Sequence, residues 1–345
     1  MSKERNLSFD LLRIVCCFLV IGIHVTPVYD WSSNTDVSQF EKILSLLIQS
    51  LVRVGLPVFF IISGMFILNE KLGNITAFYK KRISAILIPF LVFSFIHFLA
   101  NNLSGNLDNV SNILPQYLKD LTNSIGISVH FWFVYSILGL YLVAPLLSLL
   151  ISKVDATKAL FAIVALIALK AYAVYIKPLI PFIDVPDFPV WVVYFMVGGL
   201  LPKLPKFRKQ KTLSWLFIGY ISTCAFGYIQ FNGLMGSNYP IYDAGLNMFI
   251  FSVSLCILFK DCLCNVGPKV KRSIIFLSAN SYGVYLIHIL VLQQLSKYMN
   301  MSWSVGHVVV YTISITMLVF IVSNGISFII NKLICDRVLR AIHTR

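Results

Sequence analysis

The chain has 345 residues, of which 58% are hydrophobic and only 12% charged, and its mean hydropathy is +0.83. Soluble domains carry about 25% charged residues, so this composition excludes an ordinary soluble protein and predicts an all-α, polytopic membrane helical bundle in the lipid bilayer. The net charge of +14 does not indicate a nucleic-acid partner, because the basic residues form short clusters between apolar spans, as membrane topology requires.

Ten apolar segments are long enough, or nearly long enough, to cross a bilayer. The sixth is the weakest, because it is short and is interrupted by Gly198, Gly199 and Pro202. None of the connecting segments resembles an independent soluble domain, so we predict a single domain over residues 1–345. The predicted spans are 8–29, 42–68, 83–101, 131–151, 159–177, 189–202, 213–231, 243–260, 273–296 and 305–334.

The distribution of basic residues predicts the orientation of these spans. With the N-terminus inside, 21 of the 28 Lys and Arg residues face the cytoplasm, and only Lys42, Lys119, Lys177 and Lys297 face outside. Since cytoplasmic loops are enriched in Lys and Arg, we expect both termini to be cytoplasmic. The basic loop 202–211 either serves this topology alone or also docks an anionic ligand such as a nucleotide-bearing cofactor.

The first span carries an arginine, Arg13, and a histidine, His24, eleven residues apart. In a helix this spacing returns to within about 20° of the same face, about 16 Å further along the axis. Asp10, the only carboxylate that we expect inside the bilayer, shares this stripe. A charged group in a membrane helix costs about 2.5–3.5 kcal/mol and is usually functional. The first span therefore predicts an ionisable face directed into the bundle.

A second arginine, Arg53, lies near the middle of the second span, four residues before Pro57. Pro57 is expected to break the helical hydrogen bonding locally, and Gly64 allows close approach of another backbone. Two interpretations of Arg53 stay open. It either pairs with a carbonyl that Pro57 leaves free, or it provides an anion-binding charge in an internal cavity.

Five of the six histidines lie at the outer side in the predicted topology. His24, His130 and His288 are the candidates for function, whereas His97 and His307 are expected to be interfacial residues at helix ends. Histidines on separate spans could also indicate zinc, but the paired His and Glu residues that form metal sites in helical bundles are missing. We therefore expect no metal.

Taken together, four sequence features resemble the acyltransferase 3 family of integral membrane acyltransferases. They are residues 9–13 followed by His24, the segment 53–64, the segment 130–133 and the segment 278–288. Within that family the chain is most similar to stand-alone members that O-acetylate surface polysaccharides, such as O-antigen or enterobacterial common antigen. Because the sequence ends eleven residues after the last span, we expect no appended SGNH esterase-like domain.

The resemblance implies transfer of an acyl group, usually acetyl from cytosolic acetyl-CoA, to a sugar hydroxyl of a glycan or lipid-linked glycan. It also implies a bacterial inner-membrane location, with acetyl-CoA as a donor substrate and no permanently bound cofactor. Family knowledge assigns the first-span arginine and histidine to the essential site. The predicted residues are catalytic His24, Arg13 and Asp10; acetyl-CoA-binding Arg13, Arg53 and Ser63; and acceptor-binding His130, Trp132, Tyr282 and His288.

One alternative is a membrane transporter or flippase for a lipid-linked sugar or small metabolite, since such proteins also place Arg and His inside the bilayer. Within the enzyme interpretation, direct transfer to the sugar and transfer through an acylated protein group stay open. The acceptor sugar, the acyl group and the oligomeric state do not follow from the sequence.

Overall fold

The computed structural model describes residues 6–29, 31, 37–71, 73–102, 112–183, 185–234, 236, 239–260, 266–298 and 306–343. These residues are mostly helical and contain no β-strand, so the predicted all-α fold is confirmed. The α-helices are, in chain order, α1 (Leu7–Val25), α2 (Gln39–Val52), α3 (Gly55–Ile67), α4 (Ile75–Asn102), α5 (Ile113–Leu121), α6 (Trp132–Ser152), α7 (Ala156–Ala171), α8 (Val190–Leu200), α9 (Lys209–Phe231), α10 (Leu246–Phe259), α11 (Pro268–Ser296), α12 (Val308–Ile330) and α13 (Asp336–His343).

Eight helical segments in the described part of the chain are long and apolar enough to cross a membrane. Two shorter apolar helices, Val190–Lys203 and Leu246–Phe259, coincide with the sixth and eighth predicted spans. The sixth span is short as expected, and the eighth is also short, which the sequence did not suggest. The polytopic membrane bundle is confirmed, and the orientation with both termini inside stays a prediction.

The chain forms two compact units, each assembled from segments that are distant in sequence. Both units are discontinuous, and three helices (α6, α11 and α12) have a part in each, so the single domain over 1–345 stays a prediction. The segments are Met1–Glu70, Leu146–Ser278 and Ser302–Thr316 for the first unit, and Lys71–Pro145, Ala279–Met301 and Met317–Arg345 for the second.

The second predicted span is divided into α2 and α3, and Pro57 explains where it divides. Proline has no N–H group, so the carbonyl of Arg53, four residues earlier, receives no helical hydrogen bond from it. The helix is interrupted at Arg53 and Val54, and Pro57 lies in the first turn of α3, where its missing donor costs little. The predicted break is therefore confirmed, and it falls at Arg53 itself.

In the first unit, α3 and α8 cross with their backbones almost in contact. A Cβ atom at Gly64 would lie 1.8 Å from the carbonyl oxygen of Phe195, and one at Gly198 would lie 2.0 Å from that of Ile61. Only glycine fits at either position, because the obstructing atoms belong to backbone and cannot rotate away. Such crossings of small residues are how membrane helices associate closely.

The crossing predicts a sharp difference between two glycine substitutions. Gly64→Ala should lower the free energy of unfolding of the purified protein by at least the roughly 1–3 kcal/mol that overpacking typically costs. The measurement is the thermal unfolding midpoint, which should fall. Gly139→Ala on α6 is the matched control, since a Cβ atom there meets nothing within 4 Å and alanine favours a helix by up to about 1 kcal/mol. A Gly64→Ala protein as stable as the wild type would contradict the close crossing.

In the second unit, α11 contacts both α4 and α12. The Tyr282 hydroxyl donates a hydrogen bond to the carbonyl of Ile86 on α4 at 3.0 Å. One residue later, a Cβ atom at Gly283 would lie 2.1 Å from the Ser327 hydroxyl oxygen on α12. These contacts hold the segment 282–288 between neighbouring helices, and that segment carries the histidine and tyrosine side chains of the second unit.

Candidate active site

Arg13 lies in the first half of α1 and contacts Asp10 and Phe66. Its Nη1 atom is 3.5 Å from Asp10 Oδ1, and its guanidinium carbon lies 4.6 Å from the centre of the Phe66 ring. The Ser278 hydroxyl donates to the same carboxylate oxygen at 2.8 Å. The Asp10 side chain is 3% exposed and that of Arg13 is 32% exposed. Asp10 is thus a buried partner that orients Arg13, while part of the Arg13 side chain stays exposed.

His24 lies in the last turn of α1, and its side chain is exposed. The helix is continuous from Leu7 to Val25, so the predicted geometry holds: His24 lies about 16 Å from Arg13 along the axis, on nearly the same face. The helix ends just beyond it, where the Thr26 hydroxyl and N–H both donate to the Gly22 carbonyl. His24 is therefore presented at a rigid helix end.

Arg53, at the interruption between α2 and α3, belongs to the same end as His24. Its guanidinium carbon lies 4.9 Å from the centre of the Tyr242 ring, and its charge acts on both His24 and Asp243. Its Nε atom is buried and has no hydrogen-bond partner among the described residues. The guanidinium therefore packs on an aromatic ring, and both interpretations of Arg53 stay predictions.

Asp243 is a site residue that the sequence analysis missed. It lies in the loop before α10 in a left-handed conformation (φ 54°), which Asp tolerates better than most residues, and its carbonyl accepts a hydrogen bond from Tyr194 at 2.6 Å. Burial raises the pKa of the Asp243 carboxyl above its ordinary value, and the nearby charge of Arg53 opposes that shift. A carboxylate at the edge of the predicted span 243–260 was the available signal.

The prediction that Asp10 is the only carboxylate inside the bilayer overlooks Glu41, which lies in the apolar segment Gln39–Ile67 that is long enough to cross a membrane. Glu41 is 7% exposed, and its Oε2 accepts a hydrogen bond from the backbone N–H of Val308 at 3.3 Å. The cause is a boundary error, because α2 begins at Gln39, three residues before the predicted span.

The two arginines predicted to bind acetyl-CoA lie at opposite ends of α3. Arg13 contacts Phe66 near the end of α3, whereas Arg53 precedes the first residue of α3, about 20 Å away along the helix. Ser63, half-buried, is three residues before Phe66 and so lies toward the Arg13 end on the same helix face. A ligand that contacts both arginines must therefore be elongated.

In the second unit, two histidines converge on one backbone carbonyl. His97 Nε2 lies 2.8 Å and His130 Nε2 lies 3.2 Å from the carbonyl oxygen of Leu286 on α11. A carbonyl only accepts, so both nitrogens carry hydrogen, and His130 Nδ1 then accepts from the Ser128 hydroxyl at 2.9 Å. Among the described residues, no group of three or more His, Cys, Asp or Glu is arranged to hold a metal ion.

The expectation that His97 is interfacial is wrong, whereas His307 is exposed just before α12 as expected. His97 is 0% exposed because α4 continues for five residues beyond it, to Asn102, and because the Leu286 carbonyl lies against its ring. A single sequence does not show that neighbour, which is 189 residues away.

The predicted acceptor-binding residues also lie in the second unit. His288 is fully buried, its Nδ1 donates to the Tyr285 carbonyl at 2.5 Å, and its ring centre is 4.8 Å from that of His130. This hydrogen bond places the lone pair on Nε2, the nitrogen that can accept from a hydroxyl. Trp132 and Tyr282 are half-buried. The roles predicted for all four residues stay predictions.

The fold and these clusters define a multi-pass membrane protein with a buried, ionisable interior. A family model described as an acyltransferase domain matches residues 6–331, nearly the whole chain. The chain belongs to the acyltransferase 3 family, as the sequence resemblance indicated. Neither a curated protein nor a solved structure matches it.

Proposed function

We propose that this membrane acyltransferase moves an acetyl group from cytosolic acetyl-CoA to a sugar hydroxyl of a cell-surface polysaccharide, such as O-antigen, or of its lipid-linked precursor. The bacterial inner membrane is the compartment in which such precursors and acetyl-CoA are both available. The supporting observation is the arrangement on α1, where an accessible Arg13 and an exposed His24 share one face of a continuous helix.

Arg13 and His24 are spaced along α1 so that one can contact the phosphates and the other the thioester of a single acyl-CoA molecule. Arg13 binds the phosphates, because guanidinium groups pair well with phosphate oxygens, and Asp10 with Ser278 fixes its orientation. The thioester lies at the far end of the pantetheine arm, so a separation of about 16 Å brings it toward His24.

His24 acts as the general base in the transfer step. Its imidazole takes the proton of the sugar hydroxyl while the hydroxyl oxygen bonds to the thioester carbonyl carbon. The carbon–sulfur bond then breaks, and the proton passes from His24 to the departing thiolate of coenzyme A. The products are an O-acetylated sugar and coenzyme A, and the base returns to its starting state.

The test is acetyl transfer by the purified full chain in lipid nanodiscs. With radiolabelled acetyl-CoA and a lipid-linked oligosaccharide, we expect alkali-labile label on the glycan and release of one coenzyme A per acetyl group. Arg340→Ala, an exposed residue of α13, should leave the rate unchanged. Labelling of the protein alone, with none on any glycan offered, would contradict the proposed acceptor class.

A transporter or flippase is the second candidate, because the interruption of α2–α3 at Arg53 resembles the discontinuous helices that bind substrates in transporters. The two candidates separate in sealed vesicles. Movement of a lipid-linked sugar without acetyl-CoA would favour transport, whereas thioester-dependent labelling of the glycan favours the enzyme.

A further inference from the structure

A small cavity in the first unit lies beside Arg53, at the His24 end of α1. Its volume is about 70 Å³, and its walls include Trp31, Gln49, Arg53, Phe231 and Tyr242. By volume the enclosed part holds a hydroxyl-bearing edge of a ligand, or a few water molecules, rather than a whole oligosaccharide.

Two buried polar atoms on this wall have no hydrogen-bond partner among the described residues. Gln49 is 5% exposed, and its Nε2 donates to the carbonyls of Thr26 at 3.0 Å and Ile23 at 3.4 Å. These bonds fix the amide orientation, because a flipped amide would place its oxygen against two carbonyl oxygens. Gln49 Oε1 and Arg53 Nε are the unpaired atoms, four residues apart on one helix face.

The unpaired atoms are an acceptor and a donor, and a hydroxyl group satisfies both. It donates its hydrogen to Gln49 Oε1 and accepts from Arg53 Nε, which removes the free-energy penalty that each buried unpaired group carries. Lys42, which also lines the cavity, can donate to a further hydroxyl oxygen. Because one of the two unpaired atoms is an acceptor and the other a donor, a neutral hydroxyl, which both donates and accepts, suits the wall better than an anion, which only accepts.

Much of the rest of the wall is aromatic, beside Val28, Ser45 and Leu46. The Trp31 ring stacks on Phe231 with an interplanar angle of 15° and centres 5.9 Å apart, and Tyr242 covers the guanidinium of Arg53. Mostly apolar and aromatic walls with a few placed polar groups are typical of small-molecule sites. A sugar ring has the matching surfaces, because its C–H face packs on an aromatic ring while its edge carries hydroxyls.

We propose that this cavity binds the hydroxyl-bearing edge of one sugar ring of the acceptor, with a hydroxyl between Gln49 and Arg53 and the C–H face of the ring toward Trp31. The assignment rests on the proposed function in taking the acceptor to be a sugar. It places the acceptor at the end of α1 that carries His24, and it gives Gln49 and Trp31 a role that the family resemblance does not assign.

The test measures binding without acetyl-CoA, so that it is independent of catalysis. Saturation-transfer NMR on the full chain in nanodiscs would use the methyl glycosides of glucose, galactose, rhamnose and N-acetylglucosamine. We expect saturable binding of at least one glycoside, weakened roughly two- to tenfold by Gln49→Leu and by Trp31→Ala. Gln116→Leu and Trp215→Ala, exposed residues elsewhere, are the matched controls and should bind as the wild type does.

Kinetic measurements with the acceptor then distinguish the cavity assignment from the proposed function. If acetyl transfer proceeds and both variants keep the wild-type acceptor KM, the proposed function stands and the cavity assignment falls. If the glycoside binds and the variants weaken it but no acetyl group is transferred, the assignment stands and the proposed function falls. Absence of saturable binding by every glycoside means that the cavity holds water only, and it overturns the assignment. Because Gln49 also anchors the end of α1, Trp31→Ala decides the matter if Gln49→Leu fails to fold.

Discussion

Replacing His24 with alanine is expected to lower the rate of acetyl transfer to the glycan by about 10²–10⁴-fold, the range typical of a lost general base. The protein should insert and fold normally, because the side chain is exposed and lies in the last turn of α1, beyond most of the helix. The measurement is acetyl incorporation at matched amounts of folded protein, with acetyl-CoA affinity determined in parallel.

The chain offers a matched control for this substitution. His307, exposed just before α12, is not one of the residues of the proposed site, so His307→Ala should retain wild-type activity. His24→Gln should be as inactive as His24→Ala, since glutamine keeps polarity but cannot take a proton. Near-wild-type turnover by either His24 variant would remove the proposed mechanism, and a loss confined to His288→Ala would move the base to the second unit.

Replacing Arg13 with alanine is expected to weaken coenzyme A binding by about ten- to a hundredfold, which corresponds to the roughly 1.5–3 kcal/mol of a hydrogen bond to a charged group. Arg13→Lys should recover only part of this loss, because an ammonium cannot make the two parallel hydrogen bonds of a guanidinium. Calorimetry with coenzyme A on the purified protein measures both effects directly.

Replacing Arg13 also removes the partner of a buried carboxylate, so the experiment needs a second variant. Asp10 would lose its cationic partner, although the Ser278 hydroxyl would still donate to it. Asp10→Asn combined with Arg13→Ala removes the buried charge and should restore stability without restoring coenzyme A affinity. Unchanged affinity in Arg13→Ala, or restored affinity in the double variant, would argue against a phosphate contact at Arg13.

The parts of the fold that the sequence predicted depend on local signals. Continuous apolar runs identified the spans, Pro57 identified the break before α3, and the eleven-residue spacing of Arg13 and His24 survives in a continuous helix. Boundaries were less accurate by a few residues, and this small error concealed the burial of Glu41. Local sequence patterns therefore predicted the helices, but not always which polar side chains those helices bury.

The rest of the candidate site depends on contacts between distant segments. Arg53 packs on Tyr242, and Ser278 donates to Asp10 from 268 residues away. Nothing in the pattern of either segment identifies its partner, since a lone tyrosine or serine in a span is usually a packing residue. Only the tertiary structure shows that Arg13 and Arg53 lie at opposite ends of α3.

The shared carbonyl of Leu286 makes His97 and His130 energetically interdependent. Each imidazole donates to the same oxygen, so that oxygen keeps one of these donors when either histidine is lost and loses both only when the two are replaced together. The free-energy costs of the two substitutions are therefore not additive, as expected for groups that share a partner. An inherited change at one histidine consequently alters the selective value of a change at the other, so that the two positions form an epistatic pair.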